Sequence, residues 1–183
     1  MTLSAALESL NRLLSVLTQK KIEYMIIGGY ALPFYGRVRT TLDIDLAAAV
    51  EDTEKRRDLY KNLREHDFDV TFEAPIVTPL ILVRDRKEGF EFEIWFRPDG
   101  IVFDEETLKR RRKVSMGFLS VWIVSPEDFI VNKLARPDRG AVDEQDVKSV
   151  LVRQGDRLDM RYLEKRAEKA GVLALLRTIM AKQ

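Results

Sequence analysis

The chain has 183 residues, 45% of them hydrophobic, with 31 Lys and Arg against 30 Asp and Glu and a net charge of +1. That suits one globular domain with or without a small appendage, and gives no bulk charge to hold it on nucleic acid. The absence of cysteine excludes disulfides, thiolate metal sites and cysteine nucleophiles, and fits a reducing, cytoplasmic setting.

The N-terminus has polar residues at helical spacing and no basic start, unlike a signal peptide. No run of about 18 apolar residues is present, so no membrane span is expected. Leu3, Leu7, Leu10, Leu14 and Leu17 give Leu3–Lys20 the period of an amphipathic helix, with Thr2 as its N-cap. "YMII" at Tyr24–Ile27 is a short buried strand. Gly28–Gly29 turn the chain, and "YALPFYG" reads as a short helix with Pro33 in its first turn. "LDIDLAAAV" is a second strand, and "DTEKRRDLYKNLREH" is a helix whose acidic start and basic end suit its dipole. "FDVTFE", "PLILVRD" and "GFEFEIWF" follow as strands, "DEETLKRRR" as a short helix, and "KVSMGFLSVWIV" as a strand or hairpin. Trp95 and Trp122 read as core aromatics, and His66 as a cation at a helix C-terminus. Beyond Val124 the pattern is helical: "SPEDFIVNKLA", with Ser125 as cap and Pro126 at its first position, then "VDEQDVKSVLVRQ", "DMRYLEKRAEKAG" and "VLALLRTIMAKQ". Residues 1–124 therefore read as an α/β core and residues 125–183 as a helical subdomain, with the loop Arg136–Ala141 as the best hinge.

Strand side chains alternate faces, so Asp43 and Asp45 point one way and Ile44 and Leu46 the other. Two like charges about 4 Å apart repel by about 4 kcal/mol at an effective dielectric of 20. Nearby arginines such as Arg37 and Arg39, a retained proton or a divalent cation would offset this. An oxygen-only ligand set selects a hard cation such as Mg²⁺ or Mn²⁺. The Gly28–Gly29 turn at a helix N-terminus lets backbone N–H groups approach a phosphate. A strand, a Gly-Gly turn, a helix and an Asp-x-Asp strand together suggest triphosphate with Mg²⁺. Solvated aspartates at a strand end are the competing reading.

The stretch "IIGGYALPFYGRVRTTLDIDLA" resembles the signature of the DNA polymerase beta-like nucleotidyltransferase superfamily. It looks closest to the minimal prokaryotic branch, which includes AbiE-type toxins and the MNT-type antitoxins paired with HEPN-domain toxins. The resemblance implies an α+β nucleotidyltransferase fold: a mixed, twisted sheet of about five strands with flanking helices, a small C-terminal helical subdomain, and a cleft between them. It implies transfer of NMP from an NTP, with Asp43 and Asp45 holding two Mg²⁺ or Mn²⁺ ions. A third carboxylate is expected from a neighbouring strand. Glu93 takes that position in "GFEFEIWF", where the family usually has Asp; Glu91 on the same face is the weaker candidate. Gly28, Gly29, Arg39 and Thr41 fall on the nucleotide-binding part of the motif.

"SPEDFIVNKLARPDRGAVDEQDV" also resembles this branch, placing Lys133, Arg139, Asp143 and Asp146 on its motif positions, with Val142 where lysine is common. Lys133 would offer its charge to a phosphate, Asp143 and Asp146 would orient it, and Asp146 belongs to the nucleotide site. The partners implied are an NTP and an acceptor, chiefly tRNA or a partner protein, and a cognate toxin or antitoxin. A degenerate member that binds a nucleotide or partner without turnover is the alternative, and an aminoglycoside- or lincosamide-modifying enzyme is a third reading. "LKRRRK" at Leu108–Lys113 reads as a solvated helix end or an RNA contact.

Overall fold

The computed structural model describes residues 3–41, 43–71 and 79–182. It divides into two compact units, each assembled from separate stretches of chain. Among the described residues no helix is long and apolar enough to cross a membrane. Thr2, expected as an N-cap, lies outside the described residues.

The first unit comprises Met1–Ile26, Leu42–Arg97 and Lys113–Ile123. Its helices are α1 (Leu3–Gln19) and α3 (Thr53–Glu65), and its strands are β1 (Tyr24–Ile26), β2 (Ile44–Ala48), β3 (Phe68–Thr71), β4 (Leu80–Asp85), β5 (Glu91–Trp95), β6 (Arg112–Met116) and β7 (Leu119–Ile123). These strands form one mixed sheet in the order β3-β4-β5-β2-β1-β7-β6. β1 runs antiparallel to β2 and parallel to β7, while β2 runs parallel to β5. The sheet has seven strands among the described residues, more than the five expected, because "KVSMGFLSVWIV" folds back at Gly117. That glycine has φ +60, and a Cβ there would meet Leu7 Cδ1 at 2.5 Å. The leucine spacing of α1 buries Leu7, Leu10, Leu14 and Leu17, each worth about 2 kcal/mol of apolar transfer. Asp52 caps α3 by accepting the Glu54 N–H at 2.7 Å, and Leu59, Tyr60 and Leu63 are its buried face. Arg12 forms an ion pair with the fully buried Asp85.

The second unit comprises Ile27–Thr41, Pro98–Arg112 and Val124–Gln183. It holds α2 (Gly28–Tyr35), α4 (Glu105–Arg110), α5 (Pro126–Ala135), α6 (Ala141–Gln154), α7 (Met160–Lys169) and α8 (Leu173–Met180), with a single 3-10 turn at Gly155–Arg157. α5 is the central helix: Phe129, Ile130, Val131 and Leu134 are fully buried, and α2, α6 and α7 pack on it. Its cap is the expected one, Ser125 Oγ accepting the Asp128 N–H at 3.0 Å, with Pro126 following. A buried polar network ties three helices together. Tyr162 OH donates to Asp128, and Arg166 grips Asp104 with two N–H groups, at 2.7 and 2.6 Å.

Pro33 departs from expectation. It lies inside α2 rather than in its first turn, because the helix already starts at Gly28. Gly28 itself has φ +64, a value open to glycine and costly to other residues. Pro33 forgoes the backbone bond that its N–H would have made one turn back.

Candidate active site

In the first unit, alternation along β2 acts as the sequence suggests. Ile44 and Leu46 are buried, Asp43 just before the strand is exposed, and Asp45 is half-buried. The parallel register sets Asp45 directly beside Glu93 of β5, so both carboxyls leave the same face of neighbouring strands, which lie about 4.8 Å apart. On β5, Phe92 and Ile94 are buried while Glu93 and Trp95 share the half-buried face. Burial first, then the Asp45 charge and hydrogen-bond contact with Asp45, raise the Glu93 carboxyl to about 6. The Trp95 N–H opposes that rise, and the Asp43 charge adds a smaller push upward.

Trp95 corrects the expectation of a core aromatic. Its Nε1–H donates to Glu93 Oε2 at 3.1 Å, because residues two apart on a strand share a face. The period-two pattern that selected Glu93 was signal enough to find it. Trp122 is likewise half-buried, with the Lys113 ammonium 5.7 Å from its ring. Glu91 is exposed and 4.0 Å from Arg84, apart from the Asp45–Glu93 pair in its contacts. Among the described residues no group of three or more histidine, aspartate or glutamate side chains stands together so as to hold a metal ion.

The other candidate residues belong to the second unit. Gly29 packs so tightly on Thr41 that a Cβ would sit 2.7 Å from the Thr41 Cβ; the space above Gly29 is taken by this side chain. Lys133, buried, donates from Nζ to Asp143 Oδ1 at 2.8 Å and lies 3.8 Å from Asp146 Oδ2. Burial pushes the Asp143 carboxyl up, but the Lys133 hydrogen bond and charge, the Gly140 N–H and the Arg136 charge outweigh it and hold it below the usual range. Asp143 Oδ2 accepts that Gly140 N–H at 3.1 Å, and Arg139 donates to the Leu134 carbonyl at 2.7 Å. Val142, on the first turn of α6, is exposed.

Asp146 is fully buried and collects arginines. Arg37 Nε donates to Oδ1 at 2.8 Å, and Arg39 donates from Nε and an Nη to Oδ2, each at 3.1 Å. These arginines were expected beside Asp43 and Asp45 or on phosphate; their ion pairs are to Asp146. The positions lie more than a hundred residues apart, and no local pattern announces the contact.

His66 caps α3 as expected, its Nδ1 2.8 Å from the Asn62 carbonyl oxygen. The basic run is distributed among neighbours: Lys109 pairs with Glu105, Arg110 pairs with Asp159 and stacks on Tyr162, and Arg112 lies over Tyr35.

The fold is similar to the solution structure of the antibiotic-resistance factor ANT(2'')-Ia, with TM-score 0.58 and 15% identity over 100% of both chains. It is similar to lincomycin-bound LnuA, a lincosamide antibiotic adenylyltransferase, with TM-score 0.52 and 14% identity over 78% of this chain and 94% of that one. An antigenic nucleotidyltransferase-like protein from Paracoccidioides brasiliensis gives TM-score 0.51 and 20% identity over 86% of this chain and 87% of its own. These likenesses establish the nucleotidyltransferase fold. No curated protein matches the chain. Residues 6–171 match the family described as nucleotidyl transferase of unknown function (DUF2204). The chain belongs to that family and is, as an enzyme, a nucleotidyltransferase.

Proposed function

We propose that this nucleotidyltransferase is divalent-metal-dependent, moving NMP from an NTP to an acceptor, with Asp43, Asp45 and Glu93 as the ligands of Mg²⁺ or Mn²⁺. The observation that carries this reading is the Asp45–Glu93 pair: two carboxyls in contact on adjacent strands, with Asp43 adding to their charge. The donor set is all oxygen and mutually repulsive, which fits a hard cation. Such an ion would neutralise charge developing on the reacting phosphate and lower the pKa of the acceptor hydroxyl.

The chain's own residues do the positioning. β2 and β5 fix Asp45 and Glu93 in register, and Trp95 holds Glu93 through Oε2. The longer Glu93, where the family usually has Asp, keeps its reach set by that indole. Gly28, Gly29, Arg39, Thr41, Lys133 and Asp146 of the second unit are assigned to the nucleotide site, Lys133 as a charge held by Asp143 and Asp146. The acceptor classes proposed are RNA, tRNA foremost, a partner protein, and a small molecule. A toxin–antitoxin setting follows from the AbiE-like motif alone.

The test incubates purified protein with Mg²⁺ or Mn²⁺ and each NTP labelled at its α-phosphate, offering bulk tRNA, lysate protein and small aminoglycosides as acceptors. Label transfer that disappears in Asp45→Ala supports the enzyme and names the acceptor class. A folded protein that transfers nothing, and whose Mn²⁺ binding is unaffected by Asp43→Ala and Asp45→Ala, would leave the degenerate binding member instead.

A further inference from the structure

Asp146 is assigned above to the nucleotide site, yet its surroundings fit a different task. Its side chain has no exposure, and its two oxygens face the cations of Arg37, Arg39 and Lys133. A carboxylate so enclosed has no lone pair turned to solvent for a nucleotide, and it repels phosphate. What it does is fix cations. The segment bearing Arg37 and Arg39 is fastened to α6 at several further points. Arg37 N–H donates to Ser149 Oγ at 3.1 Å, Arg37 Nη1 donates to Gln145 Oε1 at 2.8 Å, and Arg153 donates to the Gly36 carbonyl. A Cβ on Gly36 would strike Ser149 Oγ at 2.4 Å, so the segment lies flat on α6.

Charge and donor supply point the same way. Four cations, Arg37, Arg39, Lys133 and Arg136, face Asp143 and Asp146; Lys133 spends itself on both, and Arg136 is held chiefly by Asp138. The surplus is thus carried by Arg37 and Arg39, whose side chains are 33% and 26% exposed. A guanidinium has five N–H donors. Among the described residues Arg37 uses three, on Asp146, Gln145 and the Val142 carbonyl. Arg39 gives three of its N–H groups to Asp146 and the Thr40 carbonyl. Each keeps donors for an anion, and a planar fork held on one side matches phosphate oxygens on the other.

We infer that Asp146 is a positioning residue, buried beneath Arg37 and Arg39, and that these two arginines bind the polyphosphate of the nucleotide. The assignment rests on the nucleotidyltransferase reading for its ligand, and on the second unit alone for its geometry.

The experiment separates the two. Binding of inorganic tripolyphosphate to the full chain is measured by calorimetry in EDTA, so that neither metal nor turnover enters. Removing a negative charge beside an anion site strengthens anion binding if charge alone matters. Positioning predicts the reverse, with Asp146→Asn binding tripolyphosphate about tenfold more weakly, the loss of one charge-assisted contact. Arg37→Ala, at the surface, tests the same assignment where Asp146→Asn fails to fold. It is expected to weaken binding by about tenfold, with Arg37→Lys recovering only part because the fork is lost. In the NTP assay Arg37→Ala is expected to raise the KM for the NTP by about tenfold. Unchanged or tighter tripolyphosphate binding by folded Asp146→Asn, or unchanged binding by Arg37→Ala, overturns the inference. Normal tripolyphosphate binding in a wild-type protein that transfers no nucleotide would instead count against the proposed function and leave the arginine site standing.

Discussion

The carboxylates of the sheet unit and the cations of the helical unit are built on opposite principles. Asp45 and Glu93 are set side by side by strand register, so like charge meets like charge, and Glu93 keeps its proton up to about 6. Arg37, Arg39 and Lys133 are gathered by opposite charge, around a carboxylate removed from water. The first arrangement is left under electrostatic tension that a bound cation would relieve. The second is satisfied by the chain itself, and its parts stabilise one another. A residue of the first kind should therefore matter to function more than to folding, and a residue of the second kind to both.

The sharpest test of that contrast sets one aspartate against the other. Asp45→Ala is expected to cut nucleotidyl transfer by about 10³-fold or more, the scale on which fixed charge stabilises a transferring phosphoryl group, while its melting temperature stays at or above wild type. Asp146→Ala takes the buried acceptor from Arg37 and Arg39 and leaves Lys133 with Asp143 alone, and should cost about 3 kcal/mol in a urea titration. A stable Asp146→Ala, or an unstable Asp45→Ala, would break the comparison.

Next in size is the pH dependence of Glu93. Its carboxyl is raised from the usual 4.5 to about 6, so the stability it contributes is fully present below pH 4.5 and is lost as pH rises through 6. Glu93→Gln keeps the neutral form at every pH. In metal-free buffer it should therefore be more stable than wild type at pH 8 by about 1 kcal/mol, the half-exposed site screening part of the shift, with the difference gone at pH 4. Urea melts at the two values decide it.

The smallest effect belongs to Trp95→Phe, which keeps the ring and removes one N–H. Losing a hydrogen bond worth about 1 kcal/mol should reduce transfer by about fivefold and lower the melting temperature by no more than about 4 °C. Equal activity would mean that Glu93 is positioned by the strand alone.

These two regions also differ in how far they could be read from residues. Alternation is local, so "LDIDL" and "EFEIW" announced which side chains share a face, and the burial of Ile44, Leu46, Phe92 and Ile94 follows that reading. The cap signal served equally well at Ser125, where the side chain and the N–H it accepts lie three residues apart. The same alternation reaches Trp95, but classing it by residue type as core hid that. Pro33 was misplaced because two glycines read as a turn, when the positive φ of Gly28 serves to start a helix that already includes Gly29. The Arg37–Asp146 pair lay beyond any such reasoning. It joins positions 109 apart, and motif spacing offered Arg37 nearer acidic partners in Asp43 and Asp45.

The contact of Gly29 with Thr41 has a consequence for inheritance. With no room for a Cβ between them, the two positions cannot both carry side chains unless the backbone yields. Within the family they should vary as a pair, a residue larger than glycine at 29 appearing where 41 has shrunk to glycine. A single substitution at 29 has to shift the Thr41 side chain or the backbone, so that path of sequence drift is steeper than one on which 41 changes first.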